Sequence, residues 1–123
     1  MSPSRHVLIV DDDTIVAEAC ALSLRRAGFR VTTAAHFGPA LAVLESSDCP
    51  DLLLTDIVMP GSVNGIALAR MGRMRRRDLR VIYMTGYDIP GAEEQASGTI
   101  LRKPVDSDNL VQIVEETFAK PAV

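Results

Sequence analysis

Acidic, hydroxyl and ammonium side chains follow successive apolar runs in this sequence. Asp11–Asp13 come directly after the run Val7–Val10, Asp56 follows a second run, Thr85 ends a third and Lys103 follows a fourth. Two carboxylates about 4 Å apart repel by about 4 kcal/mol at an effective dielectric constant near 20. If these side chains meet in one pocket, a positively charged group must therefore lie among them.

The chemistry that suits such a set is metal-assisted acceptance of a phosphoryl group. Carboxylate oxygens are ligands for hard cations, which favours Mg²⁺ or Mn²⁺. Mg²⁺ leaves coordination positions open for phosphoryl oxygens, Lys103 adds a second positive charge, and Thr85 adds a hydrogen-bonding hydroxyl. An aspartate held among these groups is a competent phosphoryl acceptor. The acid cluster alone is a weak signal, whereas the complete set at successive strand ends is a strong one.

Five short apolar runs that alternate with helical patterns would position these side chains. The β-branched, nearly continuous apolar runs predict strands covered on both faces, at residues 6–10, 29–33, 51–55, 80–85 and 99–101. The apolar spacing predicts helices at 13–28, 37–47, 65–77 and 106–120, with Asp13 and Asp106 as N-cap candidates. Residues 88–98 form a poor helical pattern, so a short, irregular or mobile fourth helix is expected.

This alternation predicts an α/β fold, a doubly wound five-stranded parallel sheet with helices on both faces. Ligands bind such sheets beyond the carboxyl ends of the strands. The same rule would bring Asp11, Asp56, Thr85 and Lys103 to one edge of the sheet.

Composition limits the classes of protein that fit. The chain has 123 residues with 47% apolar residues and a net charge of −3. These values predict one globular domain over 1–123 and argue against a general nucleic-acid binder. No apolar run approaches the roughly 20 residues of a membrane span. The first residues lack the apolar stretch of a signal peptide, so a cytoplasmic location and free thiols at Cys20 and Cys49 are expected.

The sequence resembles the receiver domain of two-component response regulators from about Arg5 to Ala119. The segments that carry the resemblance are "VDDD", "LLLTDIVMPG", "MTG" and "LRKP". The resemblance implies a flavodoxin-like sheet with strand order 2-1-3-4-5. It also implies that Asp56 is the phosphoacceptor and that Asp11 and Asp12 form the acid pair at the metal, with Asp12 as the direct ligand.

The resemblance assigns further roles around this centre. The backbone carbonyl of Val58 would be a metal ligand, and Thr85 would rearrange to bind the phosphoryl group. Gly86 would leave room where a bulky side chain would block that group. Lys103 would pair with it, and the bond between Lys103 and Pro104 would be cis.

Two positions depart from the family pattern. Ile100 stands three residues before the lysine, where the family has an aromatic residue that couples to the threonine. Tyr87, two residues after Thr85, could substitute for that aromatic residue, and its alternative role is surface packing. The loop 60–65 is one residue longer than the commonest family spacing.

The expected function is a phosphoacceptor switch. A histidine kinase or phosphorelay protein would donate to Asp56 in a magnesium-dependent reaction, and the product would alter contacts with an unidentified downstream protein. The domain would catalyse only its own phosphorylation and dephosphorylation. The 123 residues contain no output domain, so output is expected through protein contacts or phosphate relay.

Two other functions stay open on the sequence. A haloacid-dehalogenase-type phosphatase would use Asp11 and Asp13, although Ile15 breaks that pattern and the chain lacks room for cap elements. A receiver-like binding module that acts without phosphorylation stays open because of Ile100 and the irregular fourth segment, although the complete set of acid pair, aspartate, threonine and lysine counts against it. Separately, six arginines between Arg70 and Arg80 form either a solvated face or a site for an anionic partner.

Overall fold

A computed structural model describes residues 4–59, 64–96 and 98–121. The strands are β1 (His6–Val10), β2 (Arg30–Ala34), β3 (Leu52–Asp56), β4 (Arg80–Thr85) and β5 (Thr99–Arg102). The helices are α1 (Thr14–Arg26), α2 (Phe37–Leu44), α3 (Gly65–Arg75), α4 (Ala92–Gln95) and α5 (Ser107–Ala119). The predicted loop of extra length lies largely at residues 60–63, outside the described residues.

The five strands form one parallel sheet in the order β2-β1-β3-β4-β5, which confirms the predicted fold class. β1 and β3 are buried along their whole length, as their nearly continuous apolar sequences require. The register pairs Val10 with Thr55 and Asp56 with Met84. Because these neighbours are level with one another, the residues at the carboxyl ends of three adjacent strands lie side by side.

Helices cover both faces of the sheet because each strand sends alternate side chains to opposite faces. Leu8 and Leu53 pack with the buried side chains of α2 and α3. Leu52 and Leu54 pack with those of α1 and α5. Burial of each large aliphatic side chain stabilises the fold by about 1.5–3 kcal/mol, so the two cores fix the sheet that positions the site.

The helix starts follow the predicted capping chemistry. Asp13 Oδ1 accepts hydrogen bonds from the backbone N–H groups of Ile15 and Val16 at 3.1 and 3.2 Å. Asp106 Oδ1 accepts one from Asp108 at 3.1 Å. Both side chains satisfy amides that would otherwise lack acceptors in the first helical turn.

Several element ends differ from the sequence prediction. α2 and α3 end at Leu44 and Arg75, three and two residues before the predicted ends. α3 stops because Arg76 adopts an extended backbone, and its guanidinium binds the carboxylate of Asp51 at 2.8 Å. The predicted short fourth helix is confirmed, since α4 has four residues. Among the described residues, no helix has the length and apolarity needed to cross a membrane.

Candidate functional site

Three carboxylates converge at the carboxyl edge of the sheet. One oxygen from each of Asp11, Asp12 and Asp56 lies within 4.8 Å of the others. Asp11 and Asp56 are 1% and 6% exposed, whereas Asp12 is exposed. The topology explains the convergence, because Asp11 follows β1 and Asp56 ends the neighbouring strand β3. The structure thus brings together the acidic residues that the sequence singles out.

Lys103 bridges the two buried members of this cluster. Its Nζ donates to Asp11 Oδ2 at 2.8 Å and to Asp56 Oδ2 at 2.9 Å. The backbone N–H of Lys103 donates to the carbonyl of Thr85 at 2.9 Å, which fixes the lysine beside the end of β4. The bond between Lys103 and Pro104 is cis, as the family resemblance implies.

The buried carboxylates of Asp11 and Asp56 repel each other, and this repulsion favours binding of a further cation. Burial raises the pKa of Asp56 to about 6, with the Lys103 ammonium opposing and the Asp11 carboxylate reinforcing that rise. Burial alone would lower the pKa of Lys103, but its bonds to Asp11 and Asp56 outweigh burial and raise it. One lysine therefore offsets only part of the repulsion between two buried carboxylates.

The residues present fit a divalent cation of the magnesium type. The three carboxylates supply hard oxygen ligands, and they border a cavity of about 350 Å³. Its described lining consists of Asp11, Asp12, Asp13, Asp56, Val58, Gly86, Tyr87 and Lys103. Val58 and Gly86 thus border the same cavity as the three carboxylates. The cavity is large enough for an ion together with a phosphoryl group.

Thr85 lies at this edge but is bound to the neighbouring loop. Its side chain is buried, and its Oγ1 donates to the carbonyl of Tyr87 and accepts from the N–H of Tyr87, both at 3.1 Å. The Tyr87 residue is 66% exposed. Thr85, Tyr87 and Ile100 together line a second cavity of about 440 Å³. The threonine, the residue that replaces the family's aromatic side chain and the candidate substitute for that side chain therefore border the same space.

Removal of the Thr85 hydroxyl should loosen this loop. A Thr85→Val domain is expected to lose about 1–2 kcal/mol of unfolding free energy, because two backbone groups of Tyr87 lose their partner. Thr85→Ser keeps the hydroxyl and is expected to preserve the amide protection of Tyr87 in hydrogen exchange. Equal protection of Tyr87 in the valine variant and the wild type would contradict the assigned hydrogen bonds.

Gly65 is a site residue that the sequence signals only indirectly. A Cβ at this position would lie 2.0 Å from the backbone oxygen of Asp56 and 3.1 Å from the side chain of Thr55. The N–H of Gly65 also donates to the carbonyl of Ile57 at 2.8 Å. The start of α3 therefore packs directly on the backbone that carries Asp56. In the sequence, the one signal of this contact is that a glycine occupies the first position of the predicted helix 65–77.

A methyl group at Gly65 should displace this backbone. Gly65→Ala is expected to destabilise the domain by about 2–3 kcal/mol, because a rigid contact with backbone cannot relax without moving β3 or α3. Gly38→Ala is the matched control, since a Cβ on Gly38 meets nothing within 4 Å and alanine favours helix by up to about 1 kcal/mol. Urea denaturation of both variants measures the difference. Similar midpoints would show that the close approach is unimportant.

The chain matches the family model described as the response regulator receiver domain over residues 7–115. It is 36% identical over 117 residues to the DNA-binding transcriptional regulator NtrC of Salmonella typhimurium, covering 92% of this chain and 24% of that protein. It spans about a quarter of NtrC. The response regulator receiver protein CpdR of Brucella abortus is 30% identical over 118 residues, covering 91% of this chain and 95% of CpdR.

A solved structure supports the same assignment. The crystal structure of a CheY-like response regulator receiver domain protein from Methanospirillum hungatei superposes with a TM-score of 0.86 at 27% identity and covers 95% of each chain. Both the family match and this fold agree with the acidic pocket formed by Asp11, Asp12 and Asp56. The chain therefore belongs to the response regulator receiver domain family.

Proposed function

We propose that Asp56 accepts a phosphoryl group from a phosphohistidine on a histidine kinase or a histidine phosphotransfer protein, in a reaction that needs Mg²⁺ or Mn²⁺. The observation that carries this proposal is the bridge from Lys103 to the buried carboxylates of Asp11 and Asp56. It places one nucleophilic carboxylate beside a second acid and a fixed ammonium. We propose that the switch acts in the cytoplasm.

The reaction would form one bond and break another at phosphorus. An Asp56 carboxylate oxygen would form the new P–O bond while the P–N bond to the donor histidine breaks in line, and the imidazole nitrogen keeps the bonding electrons. Asp11, Asp12, Asp56 and the Val58 carbonyl would hold the metal ion. When bound, that ion supplies positive charge for the phosphoryl oxygens and reduces repulsion between the carboxylates.

Two residues of the chain would respond to the product. The Lys103 ammonium already lies 2.9 Å from Asp56 Oδ2, so it can pair with the added phosphoryl oxygens. Thr85 would give up its bonds to the Tyr87 backbone to reach the same oxygens. That exchange would release the loop that carries Tyr87 and alter the surface offered to a downstream protein.

We propose that the domain turns over no separate substrate and catalyses only its own phosphorylation and dephosphorylation. The haloacid-dehalogenase alternative needs Asp13 as a second catalytic acid. Asp13 Oδ1 instead accepts two backbone hydrogen bonds at the start of α1, which favours the receiver mechanism. Whether output passes through direct protein contacts or through a phosphorelay depends on the protein that binds the loop carrying Tyr87.

Intact-mass measurement after treatment with a small phosphodonor tests the proposal. Wild type with Mg²⁺ is expected to gain one phosphate, and both Asp56→Asn with Mg²⁺ and wild type with a metal chelator are expected to gain none. A wild-type chain that stays unmodified while a known receiver is labelled under the same conditions would overturn it. That result, together with partner affinity unchanged by Asp56→Asn, would favour the phosphorylation-independent binding module.

A further inference from the structure

The end of the sheet opposite the acidic cluster carries a basic groove that phosphoryl transfer does not use. It lies between the end of α3, the start of β4 and the end of α5, and measures about 510 Å³. Four cationic side chains line it, Arg73, Arg77, Arg80 and Lys120. Acidic residues outnumber basic ones by 16 to 13 in the whole chain. The groove is therefore a positively charged region of a chain whose net charge is negative.

Arg80 is fixed in place at the centre of the groove. Its Nε donates to the carbonyl of Thr117 at 3.2 Å, and its Nη2 donates to the carbonyl of Lys120 at 3.1 Å. Its guanidinium carbon also lies 5.2 Å from the ring centre of Phe118. A cation held in this way loses little conformational freedom when an anion binds to it.

Two other cations are available to a ligand. Arg77 and Lys120 are exposed, and in the described part of the chain neither has a carboxylate within ion-pair distance. The acidic residue on the groove wall, Asp78, does not neutralise them, because Arg76 Nε binds its Oδ1 at 3.0 Å. The groove therefore keeps a net positive charge.

Compensation of helix dipoles explains only part of this cluster. Cations in the last turn of a helix stabilise it, which accounts for Arg73 in α3 and for Lys120 at the end of α5. Arg77 lies two residues beyond the end of α3, and Arg80 belongs to a strand. Arg80 nevertheless caps the carboxyl end of α5 through its bonds to the Thr117 and Lys120 carbonyls. Arg77 is therefore the cation of this cluster that helix ends leave unexplained.

The groove lining favours a peptide over a nucleic acid. The described lining contains no aromatic side chain on which a base could stack. Leu79 and Val81 belong to the buried core beneath the groove, at 2% and 4% exposed, so the cations and the exposed Pro121 form most of the surface offered to a ligand. A surface of this charge complements a peptide rich in acidic side chains. We propose that this groove binds an acidic segment of a partner protein. This interaction lies beyond the phosphoryl-transfer function and does not require it.

Fluorescence anisotropy with a labelled glutamate-rich peptide tests this surface. Wild type is expected to bind the peptide, with an affinity that falls as salt rises towards about 0.15 M. Arg77→Glu is expected to weaken binding about fivefold. The matched control Arg26→Glu makes the same charge change at an exposed residue in the last turn of α1 and should change the affinity less than twofold. Asp56→Asn should bind like wild type.

Three results would overturn the inference. The first is absence of binding by the wild type at low salt. The second is an equal loss for Arg77→Glu and Arg26→Glu with both variants folded by circular dichroism, which would indicate attraction to overall charge. The third is tighter binding of a single-stranded RNA with the same dependence on Arg77, which would assign the groove to nucleic acid.

Discussion

A Lys103→Ala domain is expected to lose about 2 kcal/mol of unfolding free energy at pH 7 without metal. Removing one partner of a buried ion pair costs about 3–5 kcal/mol because the remaining charge is left uncompensated. We expect less because the Lys103 side chain is 23% exposed, so water can reach the vacated space. The affected groups are the carboxylates of Asp11 and Asp56, which lie 2.8 and 2.9 Å from Nζ.

The origin of this loss can be separated from a general packing defect. Mg²⁺ should restore part of the stability, because it supplies the charge that the lysine provided. Lys120→Ala is the control: it removes an exposed lysine and should change stability by no more than about 0.5 kcal/mol. Urea denaturation of wild type, Lys103→Ala and Lys120→Ala, each with and without Mg²⁺, measures these differences. A Lys103→Ala domain as stable as the control would contradict the electrostatic role of this lysine.

Asp56→Asn is expected to stabilise the metal-free domain by about 2 kcal/mol at pH 7. The pKa of Asp56 is about 6 in the folded chain, against an ordinary value of 3.8. Between those two values the folded state holds a proton that the unfolded state has lost, so wild-type stability falls as pH rises from about 4 to about 6. Asparagine cannot ionise and escapes this loss.

Denaturation at two pH values checks the sign and the cause. The gain of Asp56→Asn over wild type should be present at pH 7, should nearly vanish near pH 4, and should shrink at pH 7 when Mg²⁺ stabilises the wild type. Asp12→Asn removes an exposed carboxylate from the same cluster and should stabilise less. A gain that persists unchanged at pH 4 would indicate a packing effect and contradict the ionisation argument.

Most of the site could be predicted because its positions follow from strand ends. Alternation of β and α patterns fixes a parallel sheet, and a parallel sheet brings the ends of neighbouring strands together. The sequence alone therefore predicts that Asp11, Asp56 and Lys103 lie at one edge of the sheet. The N-cap role of Asp13 followed from local chemistry alone, since an aspartate before an apolar helical pattern satisfies free amides.

The features that escaped prediction depend on contacts between distant residues. The approach of Gly65 to the Asp56 carbonyl depends on how α3 docks beside β3, which spacing along the chain does not encode. The sequence predicts that the Thr85 hydroxyl binds the phosphoryl group. Its hydrogen bonds to the Tyr87 backbone depend on the conformation of the following loop, which the sequence does not specify. The sequence predicts that the arginines of residues 70–80 form either a solvated face or a site for an anionic partner. In the structure, Arg76 and Arg80 donate hydrogen bonds to backbone carbonyls of other segments, which the sequence does not indicate.

Carboxylates that follow or end two neighbouring strands meet at one edge of the sheet, and the central claim is that one of them, Asp56, accepts a phosphoryl group. The direct measurement is borohydride reduction of the phosphodonor-treated protein, which converts an aspartyl phosphate to homoserine, followed by peptide mass mapping. We predict homoserine at residue 56 alone, formed only when Mg²⁺ is present during the treatment. Homoserine at residue 11 or 12, or equal conversion at residue 56 with and without metal, would contradict the account.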